Sequence, residues 1–173
     1  NEHMGTHVDV PFHFLEDGAK VDEVDLERFA GPALLIDVSD RDPTEPVEVA
    51  RLEKTLNADG QAIRPGDIVL IRSWAGAWND PGFLSAAALA PDVGEWAVHL
   101  EVKALGIDLP NVDGPGDRSF PVHIALLEHG MPIFENLVRL WELPTPRFTF
   151  FGLPLRLEGS GGSPVRAVAR IEA

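Results

Sequence analysis

The stretch HVDVPFH, at residues 7–13, constrains the fold of this chain more than any other part of the sequence. Polar and apolar residues alternate along it, and successive side chains of an extended chain point to opposite sides. His7, Asp9 and His13 then share one face, with the intervening apolar residues on the other. A helix would separate His7 from Asp9 by roughly 200°, and Pro11 disfavours a helix in any case. We therefore predict a half-buried strand whose polar face carries metal-ligand side chains.

A bend at Gly5 is needed if a further histidine is to join this face. Residues four apart on a straight strand lie about 13 Å apart, which is too far for His3 and His7 to share one ion. Glycine adopts positive φ without steric cost. We therefore predict that the chain bends at Gly5 and brings His3 back toward His7 and Asp9.

Two imidazoles and a carboxylate are a ligand set suited to Zn²⁺, Mn²⁺ or Fe²⁺. We interpret His3, His7 and Asp9 as ligands of one such ion, with a coordination position left for a water whose pKa the ion lowers toward about 7. His13 lies about 20 Å beyond His7 on a straight strand, so it reaches the centre only if the chain turns again at Pro11. We expect His13 to transfer protons and not to bind the metal.

Charge and composition exclude several classes of function. The chain has 28 acidic and 14 basic residues and a formal net charge of −14, which is the wrong sign for nucleic-acid binding and disfavours anionic membranes. No apolar run approaches the roughly 18 residues of a membrane-spanning helix. Cysteine is absent, which excludes thiolate ligands and fits a cytoplasmic protein. We expect a small-molecule substrate.

The remainder of the chain alternates short predicted strands and helices, with 15 Pro and 16 Gly between them. Apolar runs predict strands over 32–38, 67–72, 104–108, 147–158 and 164–172, the last two pairing antiparallel across the glycine loop 159–163. Helical spacing and end signals predict helices over 22–30, 46–57, 93–104 (with Asp92 and Glu95 as a capping box) and 124–129. This mixture predicts an α/β class with a mixed sheet and one domain over 1–173. Because the cluster begins almost at Asn1, we expect a further segment upstream.

Several segments resemble one known family. HMGTHVDVPFHF at 3–14 is similar to the HxGTHxDxPxHF signature of the cyclase-like metal-dependent hydrolases, which include bacterial kynurenine formamidase and isatin hydrolase. HIALLEHGMPIFENLVRL at 123–140, GIDLPNVD at 106–113 and PLRLEGSGGSPVRAVA at 154–169 also resemble this family. The resemblance therefore covers nearly the whole chain.

This resemblance implies a swivelling β/β/α domain that forms homodimers or homotetramers. It implies that one or two divalent ions, Zn or Mn, are held by His3, His7, Asp9, His123 and Glu135. Asp9 would bridge the two ions, and His13 would be the proton donor and acceptor. The substrate pocket would draw partly on a segment upstream of the given sequence.

We accordingly predict an enzyme that uses a metal to hydrolyse an amide C–N bond. The substrate would be an aryl formamide such as N-formylkynurenine, or a cyclic amide such as isatin. A lactone or ester hydrolase with the same site remains an alternative, as does a non-catalytic metal-binding module. A module of that kind would have no need of His13.

Four further residues are assigned secondary roles. Trp74 and Trp78 follow a predicted buried strand, and a position in an aromatic pocket or at the edge of the core fits them equally. His99 and His129 belong to predicted helices and are interpreted as lying outside the site.

Overall fold

The computed structural model describes residues 2–171 and contains eight strands and three α-helices in this range. The strands are β1 (His7–Asp9), β2 (Ala30–Asp37), β3 (Ile68–Arg72), β4 (Ala104–Ile107), β5 (Ile133–Glu135), β6 (Arg147–Phe151), β7 (Gly162–Pro164) and β8 (Val168–Arg170). The helices are α1 (Val49–Ala58), α2 (Asp92–His99) and α3 (Pro121–Glu128). None of the helices within 2–171 has the length and apolar character needed to cross a bilayer.

All eight strands form one mixed sheet in the order β7-β1-β5-β4-β3-β2-β6-β8. The four central strands β2, β3, β4 and β5 run parallel, and β1 lies antiparallel between β5 and β7. On the other side, β6 and β8 are antiparallel to their neighbours. The predicted α/β class with a mixed sheet is confirmed.

The sheet separates two apolar cores. One core lies beneath the three helices and contains Leu52, Val93 and Leu126, one from each helix. The second core is enclosed by the opposite, curled face of the sheet and includes Val8 and Phe134. The alternation in β1 agrees with this arrangement of the two cores. Its apolar side chain enters the second core, and its polar side chains face the helix layer.

Most predicted strands are confirmed, including those over 32–38, 67–72 and 104–108. The last two also pair antiparallel, with Phe150 opposite Ala169. The glycine loop is more ordered than expected, because Gly162 and Ser163 form part of β7 and pair with Asp9 and Val8.

Two helix predictions need correction. The segment 22–30 forms only a 3₁₀ turn at Leu26–Phe29, because Ala30 and Gly31 already pair with β6 as the start of β2. Sheet pairing overrides the local helical pattern there. The helix predicted over 93–104 ends at His99.

The helix α2 is not capped as predicted. Pro91 occupies the N-cap position and makes no side-chain cap hydrogen bond, so Asp92 and Glu95 lie within the first turn instead. At the other end, Lys103 donates its backbone N–H to Asp67 O, which draws the segment into β4.

Candidate metal centre

The N-terminal segment bends at Gly5, as the spacing predicts. Gly5 has φ +64°, and a Cβ placed there would meet nothing within 4 Å, so its role is conformational. The bend brings His3 back over β1, where its Nδ1 donates to Asp9 Oδ1 at 2.6 Å. His7 Nδ1 donates to Gly5 O at 2.8 Å, and its Nε2 lies 3.3 Å from the same Asp9 oxygen.

A second turn follows directly after β1. The predicted strand through His13 is wrong beyond Asp9, because Pro11–His13 form a 3₁₀ turn with the proline at its first position. This is the turn at Pro11 that the distance argument required. It returns the His13 ring onto the His3 ring, with centroids 3.9 Å apart, and places His13 Nε2 3.9 Å from Asp9 Oδ2.

Two residues distant in sequence complete the cluster. The antiparallel register of β1 and β5 places Glu135 directly opposite His7, and Glu135 Oε2 lies 3.4 Å from His7 Nε2. His123 projects from the first turn of α3, with its Nε2 3.4 Å from Glu135 Oε1 and 3.5 Å from Asp9 Oδ2. The structure therefore brings together all six residues that the sequence assigned to the site.

Asp9 lies at the centre of this cluster, and its two oxygens face different partners. Oδ1 faces His3 and His7, whereas Oδ2 faces His13 and His123. This division is the arrangement that a bridging carboxylate requires.

The donor atoms fit a divalent cation. One ligand atom each from His3, Asp9 and His13 lie within 4.8 Å of one another, and so do ligand atoms of His7, Asp9 and Glu135. Imidazole and carboxylate donors at such separations suit the small divalent transition metals. The observed grouping of donor atoms differs from the predicted one in one respect. The prediction placed His3 with His7 and Asp9, whereas the structure groups His3 with His13 and Asp9.

The electrostatics of the buried imidazoles also favour positive charge in the cluster. Burial by itself lowers the pKa of His7, but the carboxylates of Asp9 and Glu135 outweigh it and raise that pKa to about 10. Burial likewise lowers the pKa of His123, but nearby carboxylates, of which Asp113 has the strongest effect, outweigh it and raise that pKa to about 11. Burial raises the pKa of Asp9, yet hydrogen bonds from His123 and other imidazoles hold it well below its usual value. The carboxylates therefore stabilise positive charge at the centre of the cluster.

His13 differs from the other imidazoles. It is partly exposed, and burial is the main cause that lowers the pKa of its ring below the usual value. A neutral imidazole can accept a proton near neutral pH, so His13 has the properties of a general base.

One functional contact was missed by the sequence reasoning. Asp113 is buried, and its Oδ2 accepts a hydrogen bond from His123 Nδ1 at 2.7 Å. Its Oδ1 accepts from the backbone N–H of Val122 at 2.8 Å. The only sequence signal was its position as the last residue of the GIDLPNVD segment at 106–113.

Two phenylalanines form an apolar wall beside the cluster. The Phe14 ring lies 4.8 Å from His123 and 4.6 Å from His13, centroid to centroid. The Phe120 ring packs against Phe14 at 5.0 Å. Phe120 has φ +48° and precedes Pro121, which begins α3. The site therefore has an aromatic wall of two mutually tilted rings next to its partly exposed histidine.

Both positions that the sequence left open for the tryptophans occur, because Trp74 packs against the helix-side core and also lines a cavity together with Trp78. A cavity of about 110 Å³ is bordered by Trp74, Trp78, Phe83 and Trp141, at the edge where β3, β4 and β5 end. Asp108 forms part of its wall and accepts hydrogen bonds from the backbone N–H groups of residues 73 and 74.

The two remaining histidines make no contribution to the cluster. His129 follows α3 and its Nδ1 donates to Ala125 O at 2.8 Å, while His99 is the last residue of α2. Both positions agree with the prediction that they lie outside the site.

The fold and this buried imidazole–carboxylate cluster define an α/β protein with a centre for a divalent metal. Comparison with known proteins gives the family. The model of the Cyclase family, described as "Putative cyclase", matches residues 1–114. This chain belongs to that family.

Individual relatives agree with the family model. The kynurenine formamidase of Bacillus cytotoxicus is 36% identical over 97% of this chain and 76% of its own length. That of Paracidovorax citrulli is 35% identical over 99% and 77%. The solved structure of isatin hydrolase A from Ralstonia solanacearum is 28% identical, covers 98% of this chain and 72% of its own, and superposes with a TM-score of 0.85.

Proposed function

We propose that this chain is a metal-dependent hydrolase that cleaves the amide C–N bond of an aryl formamide such as N-formylkynurenine. One observation carries the proposal: a buried metal-ligand cluster with a partly exposed histidine at its edge, whose pKa burial lowers, and two phenylalanine rings beside it. The kynurenine formamidases that match this chain over nearly its whole length support the choice of bond and substrate.

In this proposal, five residues hold the metal: His3, His7, Asp9, His123 and Glu135. A divalent cation held by these residues would activate water and polarise the substrate carbonyl. The buried carboxylates of Asp9 and Glu135 would neutralise much of its charge and limit competition from bulk water. These donors would hold one or two ions per chain, and we propose Zn²⁺ or Mn²⁺.

His13 carries the protons in this mechanism. Its ring accepts a proton from water as the water oxygen bonds to the carbonyl carbon. It then donates this proton to the leaving nitrogen as the C–N bond breaks, so that an amine and formic acid result, and the acid releases its remaining proton to solvent as formate. General acid–base transfer of this kind contributes about 10²–10⁴ in rate.

Phe14 and Phe120 would position the aryl ring. Their rings lie 5.0 Å apart at an interplanar angle of 59°, beside His13 and His123. An aryl group against this wall excludes water and holds the attached amide near the cluster.

A cyclic aryl amide such as isatin is the second candidate substrate. The fold similarity to isatin hydrolase A at a TM-score of 0.85 favours it, and opening such a ring breaks the same type of bond. The same residues would act, with the leaving nitrogen kept on the product.

The experiment begins with protein purified without chelator, whose metal content is measured by elemental analysis. Turnover of N-formylkynurenine, formanilide, isatin and an aryl lactone is then compared for wild type, His13→Ala and the control His129→Ala. We expect hydrolysis of an aryl amide by wild type and His129→Ala. Turnover of the lactone alone, or metal without any turnover, would contradict the proposal.

We further propose a homodimer or homotetramer in the cytoplasm. Exposed apolar side chains support self-association, notably Trp78, Leu84 and Trp141, which are 61%, 78% and 56% exposed. The cysteine-free composition supports the location. Light scattering coupled to size-exclusion chromatography measures the oligomeric state, and a monomer at micromolar concentration would contradict it.

A further inference from the structure

Within residues 2–171, the hydrogen bonds of the Asp113 carboxylate go to the first turn of α3. Its Oδ1 accepts the backbone N–H of Val122 at 2.8 Å. Its Oδ2 accepts the backbone N–H of His123 at 3.2 Å and the ring Nδ1 of His123 at 2.7 Å. The residue is 2% exposed, so water cannot replace these partners. A single buried carboxylate therefore serves both a helix terminus and an imidazole.

The start of α3 depends on this carboxylate. Phe120 at the N-cap position makes no side-chain cap hydrogen bond, and Pro121 has no N–H to offer. The N–H groups of Val122 and His123 need acceptors from outside the helix, and Asp113 supplies them. The position of His123 thus follows the position of Asp113.

The contact with the ring also decides which nitrogen of His123 carries hydrogen. An ionised carboxylate can only accept, so Nδ1 must be the protonated nitrogen. In the neutral ring the lone pair then lies on Nε2, which faces Asp9 Oδ2 at 3.5 Å and Glu135 Oε1 at 3.4 Å. A metal ion binds an imidazole through that lone pair.

We propose that Asp113 is a positioning residue that holds His123 in the tautomer and orientation needed to bind a metal ion through Nε2. It touches neither metal nor substrate. The proposal rests on the metal centre proposed above but not on the identity of the substrate. Carboxylates in this position typically change metal affinity by about 10–100-fold when they are replaced.

The substitution Asp113→Asn tests this role at nearly constant volume. An amide has one acceptor oxygen where the carboxylate has two, so either orientation turns an NH₂ group toward an existing donor. With the oxygen toward Val122, the ring of His123 must take its hydrogen on Nε2. With the oxygen toward the ring, the first turn of α3 loses its acceptor and moves together with His123. Both orientations weaken metal binding.

Asp67→Asn is the matched control. Asp67 is also 2% exposed and hydrogen-bonded, but its partners are the backbone of Arg64 and the side chain of Arg147. Removing its charge should lower the thermal midpoint without affecting the metal centre. The pair of variants separates loss of a buried carboxylate in general from loss of this one.

Zn²⁺ titration by calorimetry of wild type and both variants is the first measurement. We expect Asp113→Asn to weaken binding by about 10–100-fold and Asp67→Asn to leave it within about twofold. Equal affinity of Asp113→Asn and wild type would overturn the inference. A wild type that binds no Zn²⁺ would instead overturn the proposed metal centre itself.

A measurement on the wild type covers the case in which Asp113→Asn does not fold. In Zn²⁺-loaded, ¹⁵N-histidine-labelled protein, two-bond ¹H–¹⁵N correlation spectra identify the tautomer of each ring. We expect His123, assigned with the His123→Gln variant, to have its hydrogen on Nδ1 and Zn²⁺ on Nε2. Hydrogen on Nε2, or a ring with no bound Zn²⁺ in a protein that holds the ion elsewhere, would overturn the inference.

Discussion

The two sides of the metal centre are built in different ways. The N-terminal side contributes His3, His7, Asp9 and His13 from eleven consecutive residues, which two turns fold onto one another. The far side contributes His123 from α3 and a carboxylate from β5, which only the sheet and helix packing bring near. The first side therefore depends on local backbone conformation, and the second on register and helix position.

His7 joins the two sides, and its removal should have the largest effect. Its Nε2 lies 3.3 Å from Asp9 Oδ1 and 3.4 Å from Glu135 Oε2. In His7→Ala we expect metal affinity to fall by at least about 100-fold, more than loss of an outer partner costs, and hydrolysis to be lost with it. Elemental analysis and Zn²⁺ titration check this, with His129→Ala as the control. Undiminished metal content would contradict the ligand assignment.

His13 should separate chemistry from metal binding on the N-terminal side. We expect His13→Ala to lower turnover by about 10²–10⁴ while metal content stays near wild type. The measurements are steady-state kinetics and metal analysis of the same preparation. Because ligand atoms of His3, Asp9 and His13 lie within 4.8 Å of one another, the opposite result has a clear meaning. Loss of metal together with activity would make His13 a ligand.

Gly162 tests how closely the N-terminal side is packed. A Cβ at this position would lie 2.7 Å from both His3 Cε1 and Val8 O, so either the ring or the backbone of β1 must move. We expect Gly162→Ala to destabilise the protein by about 1–3 kcal/mol and to weaken metal binding.

Gly114→Ala is the control for that substitution, because a Cβ at Gly114 meets nothing within 4 Å. Chemical denaturation and Zn²⁺ titration of the two variants give the comparison. If Gly162→Ala is as stable as Gly114→Ala and binds metal equally well, the close packing of His3 on β7 is not needed for stability or metal binding.

Gly5 should show the smallest effect, because only its backbone conformation matters. At φ +64° a β-branched residue is strained, while asparagine tolerates this region. We expect Gly5→Val to cost about 1–2 kcal/mol and to weaken metal binding, and Gly5→Asn to stay close to wild type. Thermal denaturation with and without Zn²⁺ measures both. Equal behaviour of the two variants would contradict the role of the bend.

The N-terminal side of the site could be predicted from the sequence because its geometry is local. His7, Asp9, the glycine before them and the proline after them lie within seven consecutive residues, 5–11. Their spacing and permitted φ angles leave few ways to bring the side chains together. The one local error, an extended chain through His13, arose because the pattern alone did not show where pairing with β5 and β7 stops.

The far side could not be derived in this way. His123 and Glu135 were assigned only through family resemblance, and the importance of Asp113 was not seen at all. Taken alone, a histidine near a helix start or a carboxylate at a strand end is an ordinary surface feature.

The sequence by itself determined the mixed α/β class, most strands, and a metal-ligand face on the first of them, because these depend on periodicities of a few residues. Only the tertiary structure decided that Glu135 stands opposite His7 and that Asp113 directs the ring of His123. The tertiary structure also decided that residues 22–30 form a 3₁₀ turn and the start of β2 in place of the predicted helix. The physical reason is the same in each case: strand register and helix docking depend on burying two whole cores at once, which no local spacing specifies.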